Sequence, residues 1–183
     1  MTIAKGTHNI GPQDGKLLLN VYKDGVAAKM GHDLTFEVTS WSGKADIDPD
    51  NPSASSVQVS IDPGSLEIID SKGGAKQLSD GDRKDIKKNI DKALQTSKYN
   101  SIDFQCKGVS GTPPRVSLQG NLTLVGQSRP VTLDLTVDDS GHAQGRTSFA
   151  QSQFGIKPFS AMLGALKIKD NVDISIDLRL PTA

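Results

Sequence analysis

The sequence predicts a mainly β protein, an up-and-down antiparallel β-barrel of about eight strands that carries one long helix. Apolar side chains recur at every second position in many segments, and the opposite face of each segment is polar. One segment, which begins near Ser79, instead repeats its apolar side chains at helical spacing. Strands with a single apolar face are typically antiparallel, because parallel strands are usually covered on both faces. Such strands must close on themselves or pair as two sheets, and closure removes the exposed edges.

The first part of the chain predicts strands that are separated by tight turns. Residues 17–21 alternate, and the Asp-Gly pair at 24–25 has the chemistry of a hairpin turn. A second alternation can run from residue 26 to residue 38, after which the apolar phase slips by one residue at Thr39 and Ser40. This slip predicts a β-bulge or a sharp bend, which would curve the sheet.

The middle of the chain changes from strand spacing to helix spacing. Residues 57–61 alternate, and residues 66–68 can form one more short extended piece. After Ser79 or Asp80, either of which can cap a helix, the apolar stripe of Ile86, Ile90 and Leu94 predicts a helix of about four turns.

Further alternating segments follow this helix and complete the predicted barrel. They cover residues 102–106, 116–124, 131–137 and 172–180, with a weaker strand at 143–151. Residues 1–183 fit one domain of ordinary size. The positions that their parity places inside the barrel include Leu17, Leu19, Val21, Leu34, Phe36, Val38, Val57, Val59, Ile61, Phe104, Leu122, Leu124, Leu133, Leu135, Ile174 and Ile176.

The composition excludes several classes of function. Lys plus Arg and Asp plus Glu both number 21, so no net charge drives binding to nucleic acid or to an anionic membrane surface. The single cysteine, Cys106, allows no intrachain disulfide and no multi-cysteine metal site. No apolar run has the length of a membrane span, which predicts no membrane insertion. The first residues lack a hydrophobic leader, so we expect a cytoplasmic protein, or a periplasmic one if a signal peptide has been removed.

His32 interrupts an otherwise apolar face, because Met30, Leu34 and Phe36 share its parity. The pattern aims its imidazole at the apolar interior and the carboxylate of Asp33 at solvent. A buried imidazole must find a partner or cost about 1–3 kcal/mol, so His32 is either a satisfied structural residue or a functional one. Functional roles include a general base, a metal ligand and an anchor for a ligand head group.

The sequence predicts neither a catalytic centre nor a metal site. The three histidines stand at no ligand spacing, and no nucleophile motif such as Gly-x-Ser-x-Gly is present. We therefore predict a protein that is not an enzyme and that requires no cofactor.

An unusually apolar irregular stretch covers residues 154–166 and is predicted to form a loop or a short helical segment. It can serve as a mouth or lid of the barrel, or as a plug that closes one end, because pockets and plugs share apolar linings. In the first case its large apolar side chains contact ligand: Phe154, Phe159, Met162 and Leu163.

Several segments together resemble the YceI-like family, in the family's order along the chain. Residues 120–133, GNLTLVGQSRPVTL, resemble its Gly-to-Pro hairpin, and residues 98–104, KYNSIDF, resemble its strand entry. Residues 153–158, QFGIKP, are similar to its late Phe-Gly-Ile element. GHDL at 31–34 and WSG at 41–43 are similar to the opening of one branch of the family. The resemblance implies a lipocalin-like barrel with a hydrophobic tunnel that binds polyisoprenoids or other long-chain lipids.

The leading hypothesis is therefore a carrier or store for a polyisoprenoid, an isoprenoid quinone or a fatty-acyl lipid. No nucleic-acid partner is predicted, and the protein is expected to be a monomer or a homodimer. The alternatives are an enzyme that uses His32 and a carboxylate on a lipophilic substrate, or a ligand-free structural or stress protein. By resemblance, Asp85 and more loosely Arg83 belong to the site. The predicted ligand contacts are His32, Leu34, Phe36, Val38, Asp85, Ile86, Ile90, Phe104, Phe154, Phe159, Met162 and Leu163.

Overall fold

The computed structural model describes residues 3–183 and contains two antiparallel sheets and one helix. Met1 and Thr2, which begin the segment predicted to lack a leader, lie outside the described residues. The elements are β1 (Gly6–Ile10), β2 (Gly15–Val21), β3 (Lys23–Asp24), β4 (His32–Val38), β5 (Trp41–Ile47), β6 (Ser56–Ile61), β7 (Leu66–Gly73), α1 (Asp80–Leu94), β8 (Ile102–Thr112), β9 (Arg115–Leu124), β10 (Gln127–Val137), β11 (His142–Ala150), β12 (Ser160–Ala161), β13 (Leu166–Ile168) and β14 (Asn171–Arg179).

The main sheet has eleven strands in the order β1-β5-β6-β8-β9-β10-β11-β14-β2-β4-β7, and it is strongly curled. Every pairing in it is antiparallel. The prediction of a mainly β, antiparallel protein with one long helix is therefore confirmed. The predicted count of about eight strands is not confirmed, and the hydrogen-bond ladder ends at edge strands β1 and β7 instead of closing.

A sharp corner explains much of the difference in strand number. The alternating segment that contains β4 and β5 breaks at Thr39 and Ser40, where the sequence predicts a bend, and its two halves pair at opposite ends of the sheet. Strands β6 and β7, which pair with β5 and β4, are interrupted at the same place, between Ile61 and Leu66. At the corner the Thr39 N–H donates to the Ser65 carbonyl at 3.2 Å, and the Asp62 N–H donates to the Ser40 carbonyl at 3.0 Å. One bent hairpin thus joins both ends of the sheet.

Helix α1 confirms the predicted helix and its cap. Ser79 and Asp82 form a capping box, in which the Asp82 N–H donates to the Ser79 hydroxyl at 3.1 Å and the Ser79 N–H donates to the Asp82 carboxylate at 2.8 Å. Ile86, Ile90 and Leu94 pack against the buried core of the sheet. The helix covers one part of the curled sheet and exposes Lys84, Lys88 and Lys92, whereas Lys87 is half-buried and donates to the Gly64 carbonyl.

The small second sheet has the order β12-β13-β3. It corrects one prediction, because the segment from residue 26 to residue 31 does not extend β4. Residues 28–30 form a 3-10 turn, and the Ala27 N–H donates to the Ala165 carbonyl at 2.8 Å. The turn at 24–25 therefore connects to the second sheet through β3 and β13 instead of closing a hairpin with β4.

Three strand glycines stand where the curl brings a neighbouring side chain over the backbone. A β-carbon at Gly145 would overlap the Asp134 carbonyl oxygen and the Leu135 side chain, and one at Gly120 would overlap the ring of Phe104. A β-carbon at Gly43 would likewise overlap the side chain of Ile10, which is its partner in the pairing of β1 with β5. Strand glycines of this kind permit close approach and a tight bend.

Asp173 makes the stability of the fold sensitive to acid. Its carboxylate accepts hydrogen bonds from the Ser148 hydroxyl and, at 2.7 Å, from the Tyr22 hydroxyl, and these two bonds lower its pKa below the ordinary 3.8. Because the folded pKa is depressed, the contribution is complete above pH 3.8 and is lost as the pH falls through the folded pKa.

We expect the urea midpoint to fall as the pH is lowered from about 5 to about 2.5. In Asp173→Asn the midpoint is expected to be lower at neutral pH and to fall less over this range, because the titrating group is gone. Asp139→Asn, at an exposed turn, serves as the control and should retain the full decline. An Asp173→Asn protein with the wild-type acid profile would contradict the assignment.

Candidate ligand cavity

A cavity of about 290 Å³ lies inside the curl of the main sheet. Each of the eleven strands contributes at least one side chain to its wall, and Leu94 contributes from helix α1. A single water molecule needs about 10–15 Å³ on the same measure, so the space is far larger than a packing defect. The curled sheet therefore encloses room for a ligand.

The wall is apolar except for four polar residues, of which three lie together at one end. Asp46, Asp48 and Ser55 belong to the connection around the end of β5 and the start of β6, and Thr147 is the fourth. The three are half-buried, and Pro113 beside the same end is exposed. This end is therefore the mouth of the cavity.

An ion pair stands at the mouth. The Lys5 ammonium lies 2.9 Å from the Asp48 carboxylate, and this contact lowers the pKa of Asp48 and raises that of Lys5. Asp46 and Asp48 are the charged residues among the described residues of the lining, and both lie at the mouth.

The opposite end is closed by side chains of the helix and of the last strands. Leu94 and Phe149 both pack against the buried cluster that contains Leu124 and Phe154, and the Phe154 ring meets that of Phe149 in an edge-to-face contact at 5.3 Å between centroids. Strand β8 runs from this end to the mouth, and its eleven residues correspond to about 35 Å of extended chain. The lining therefore extends along the strands, from Ile102 near the closed end to Pro113 near the mouth.

Trp41, the only tryptophan of the chain, forms part of the wall and is 6% exposed. Its indole N–H has no hydrogen-bond acceptor among residues 3–183, which is uncommon for a buried donor. The ring makes Trp41 a single fluorescent reporter of events inside the cavity.

The predicted ligand contacts fall into three groups: residues on the cavity wall, residues buried in the core outside the wall, and residues that lie apart from the cavity. Val38 and Phe104 are on the wall. The predicted interior positions also line the cavity, except Val21, Leu34 and Phe36. Those three are buried in the core outside the cavity wall. Whether Val38 and Phe104 bind a ligand stays a prediction.

His32 lies outside the cavity, and the prediction that its imidazole faces the apolar interior is wrong. Its Nε2 is 2.9 Å from the Lys76 carbonyl oxygen, and Gly74 packs directly on the ring, where no β-carbon would fit. At the first residue of β4 the inward side faces the loop after β7 and not the barrel. Asp33, expected in solvent, is half-buried and accepts the Lys23 N–H at 2.9 Å.

The helix residues also stand apart from the cavity. Asp85 is exposed and lies 3.8 Å from Lys88 on the solvent side of α1. Ile86 and Ile90 pack against the core without lining the cavity. The family resemblance at Asp85 thus does not coincide with a place on the cavity wall.

The apolar stretch 154–166 is neither wall nor mouth. Phe154 is 1% exposed and supports the closed end from behind, which corresponds to the plug alternative. Phe159, Met162 and Leu163 point away from the cavity, with exposures of 40%, 55% and 110%. The mouth lies elsewhere, at the turn of residues 48–52, whose sequence Asp-Pro-Asp-Asn-Pro is typical of a turn.

Within residues 3–183 no group of three or more His, Cys, Asp and Glu side chains could hold a metal ion. No helix in that range is long and apolar enough to cross a membrane.

Comparison with known proteins agrees with this architecture. The model of the YceI-like domain matches residues 20–180. The chain belongs to the YceI-like family. No curated protein matches this YceI-like chain in sequence.

Among solved structures, BcnA from Burkholderia cenocepacia superposes on this YceI-like protein with a TM-score of 0.67 and 17% identity, over 90% of this chain and 94% of that one. The YceI protein from Campylobacter jejuni gives a TM-score of 0.53 with 15% identity, over 81% and 82% of the two chains. A mutant of the Campylobacter protein with a monobromobimane guest gives 0.54 and 15% over the same shares. At these identities the likeness shows the fold.

Proposed function

We propose that this YceI-like protein binds a long-chain hydrophobic molecule in the cavity of its curled sheet, as a carrier or a store. The observation that carries the proposal is the wall itself, which is apolar along its length and polar almost only at one end. The chemistry favours a polyisoprenoid, an isoprenoid quinone or a fatty-acyl chain whose tail lies among the strands. Residues 1–183 would then act as one ligand-binding unit.

Burial of the tail is sufficient to supply the affinity. Each methylene removed from water contributes about 0.8 kcal/mol, so ten of them contribute about 8 kcal/mol before the costs of association. A head group with few specific contacts is compatible with such binding. Its natural place is the mouth, where Lys5, Asp48 and Ser55 offer both charges and a hydroxyl.

The two alternative functions are less well supported. An enzyme that uses His32 would need the imidazole on the cavity, whereas its Nε2 lies against the Lys76 carbonyl outside it. A ligand-free structural protein would be expected to fill its interior with side chains, because packed interiors are the rule. A cavity of about 290 Å³ argues for an occupant.

Ligand uptake is tested by native mass spectrometry with organic extraction, followed by titration with a brominated fatty acid. Bromine quenches a nearby indole, so we expect saturable loss of Trp41 fluorescence, and the unbrominated acid should compete. A purified protein that contains no lipophile and takes up none of the long-chain probes would refute the proposal.

A pair of neighbouring substitutions locates the binding. Leu135→Lys places an ammonium on the cavity wall and is expected to weaken binding at least about tenfold, because a buried charge must be desolvated. Thr136→Lys, on the exposed face of the same strand, should bind as the wild type does. Circular dichroism and the thermal midpoint identify any variant that has lost its fold. Equal affinity of the two folded variants would place the ligand outside the cavity.

A further inference from the structure

Five large apolar side chains are exposed on the small sheet and its two adjoining turns, away from the cavity. We call this surface the apolar tip; its members, with their exposed fractions, are Val26 (95%), Met30 (55%), Phe159 (40%), Met162 (55%) and Leu163 (110%). Single exposed apolar side chains are ordinary, whereas a contiguous group of them marks an interaction site.

Backbone contacts hold the two halves of the tip side by side. Strand β13 pairs with β12 on one side and with β3 on the other. The Ala27 N–H donates to the Ala165 carbonyl at 2.8 Å, and Gly25 packs so closely on that carbonyl that a β-carbon would overlap it. The turn that bears Val26 therefore lies next to the turn that bears Met162 and Leu163.

The end of the tip adopts a backbone conformation that its residues disfavour. Met162 and Leu163 have φ angles of +51° and +55°, in the left-handed region. For residues with a β-carbon this region costs about 1–2 kcal/mol each, and neither side chain is buried in return. Strained residues that gain nothing within the fold point to a function outside it.

Positive charge predominates around the tip although the whole chain is neutral. Residues 154–169 contain Lys157, Lys167 and Lys169 and no acidic residue, and one exposed carboxylate of the small sheet, Asp24, lies opposite Lys167 in the pairing of β3 with β13. These lysines and Lys29 are all exposed, and none of the four forms an ion pair among residues 3–183. Equal totals of basic and acidic residues therefore conceal a local basic surface.

We propose that the apolar tip docks on the surface of an anionic lipid bilayer, with its apolar side chains in the headgroup region and its lysines on anionic headgroups. Apolar side chains bordered by lysines are the combination that binds peripherally to such surfaces. A second copy of the chain fits less well, because pairing two tips would bring like charges together. The docking surface is separate from the cavity and goes beyond the proposed binding of a lipophile.

The test is co-sedimentation of the full chain with vesicles of neutral phosphatidylcholine, with or without about 30% phosphatidylserine. We expect binding to the anionic vesicles, at least tenfold weaker binding to the neutral ones, and weakening as salt is raised from about 0.1 M to about 0.5 M. Equal binding to both vesicles, or none to either, overturns the proposal.

Substitutions separate docking from folding. Asn tolerates positive φ, so Met162→Asn with Leu163→Asn is expected to keep or raise the thermal midpoint while lowering vesicle binding at least tenfold. Lys157→Gln and Lys167→Gln should each lower binding to the anionic vesicles about fivefold. Ile69→Asn removes an exposed apolar side chain that lies outside the tip and should bind as the wild type does.

Two results in this series would overturn the proposal. The first is wild-type sedimentation of the doubly substituted tip. The second is a wild-type dimer that the same substitutions convert to a monomer without any change in vesicle binding, which would assign the tip to self-association.

Discussion

Replacement of Phe154 by alanine is expected to lower the free energy of unfolding by about 3–5 kcal/mol. The ring is 1% exposed and packs among Leu124, Val125 and Ile156. Its edge-to-face contact with Phe149, at an interplanar angle of 75°, adds to the loss. Urea denaturation followed by circular dichroism measures the change. Because Phe149 lines the cavity, we also expect the ligand affinity of the folded fraction to fall.

Phe159→Ala is the matched control, since it makes the same substitution five positions away. The Phe159 ring is 40% exposed and lies outside the three buried clusters, so its loss should cost less than about 1 kcal/mol. Similar losses from the two variants would show that the ring of Phe154 is not the support of the closed end. The sequence alone treated the two phenylalanines alike.

Gly145→Ala is expected to destabilise the protein by about 2–3 kcal/mol, which lowers the thermal midpoint by roughly 5–10 °C in a chain of this size. The new methyl group would overlap the Asp134 carbonyl and the Leu135 side chain. The carbonyl belongs to the neighbouring strand and cannot rotate away, so β10 and β11 must separate locally. Differential scanning calorimetry measures the effect.

Gly108→Ala makes the same change in strand β8, where a β-carbon would meet no atom within 4 Å. With space available, alanine should leave stability unchanged or raise it by about 0.4–1 kcal/mol, because alanine gives the unfolded chain less conformational freedom than glycine does. If both variants lose the same stability, overlap with the Asp134 carbonyl and the Leu135 side chain is not the source of the cost at Gly145.

Local patterns predicted most of the secondary structure. Two-residue alternation identified the long strands, because burial on one face imposes that spacing on any sheet. The helix and its cap followed from the Ser79 signal and the stripe that ends at Leu94. The phase slip at Thr39 and Ser40 located the corner, since a strand that changes its buried face must bend.

Features that depend on distant neighbours could not be predicted in this way. Parity assigns His32 to a face, but it does not say that the loop after β7 lies opposite that face. In the same way, the Asp and Pro residues after β5 predict a turn, but they do not show that this turn lies at the mouth of the cavity. Phe149 and Trp41 were missed as cavity residues because a weak strand and a single ring give no signal of what they border.

The loop from residue 154 to residue 166 shows a further limit. An apolar residue looks the same in a sequence whether it is buried, as Phe154 is, or exposed, as Leu163 is. Net charge has a similar limit, because it averages over the surface and does not show where the lysines around the apolar tip lie. Only the placement of the small sheet distinguishes these cases.

The pairing of β2 with β14 has a consequence for biosynthesis. These strands, Gly15–Val21 and Asn171–Arg179, lie far apart in the sequence, so their contact closes a very long loop and belongs to the slow steps of folding. Until β14 has been synthesised and has paired, β2 has no partner on that side and the wall of the cavity is incomplete. A ligand of the proposed kind would therefore be enclosed only after this pairing, and the growing chain exposes its apolar strands until then.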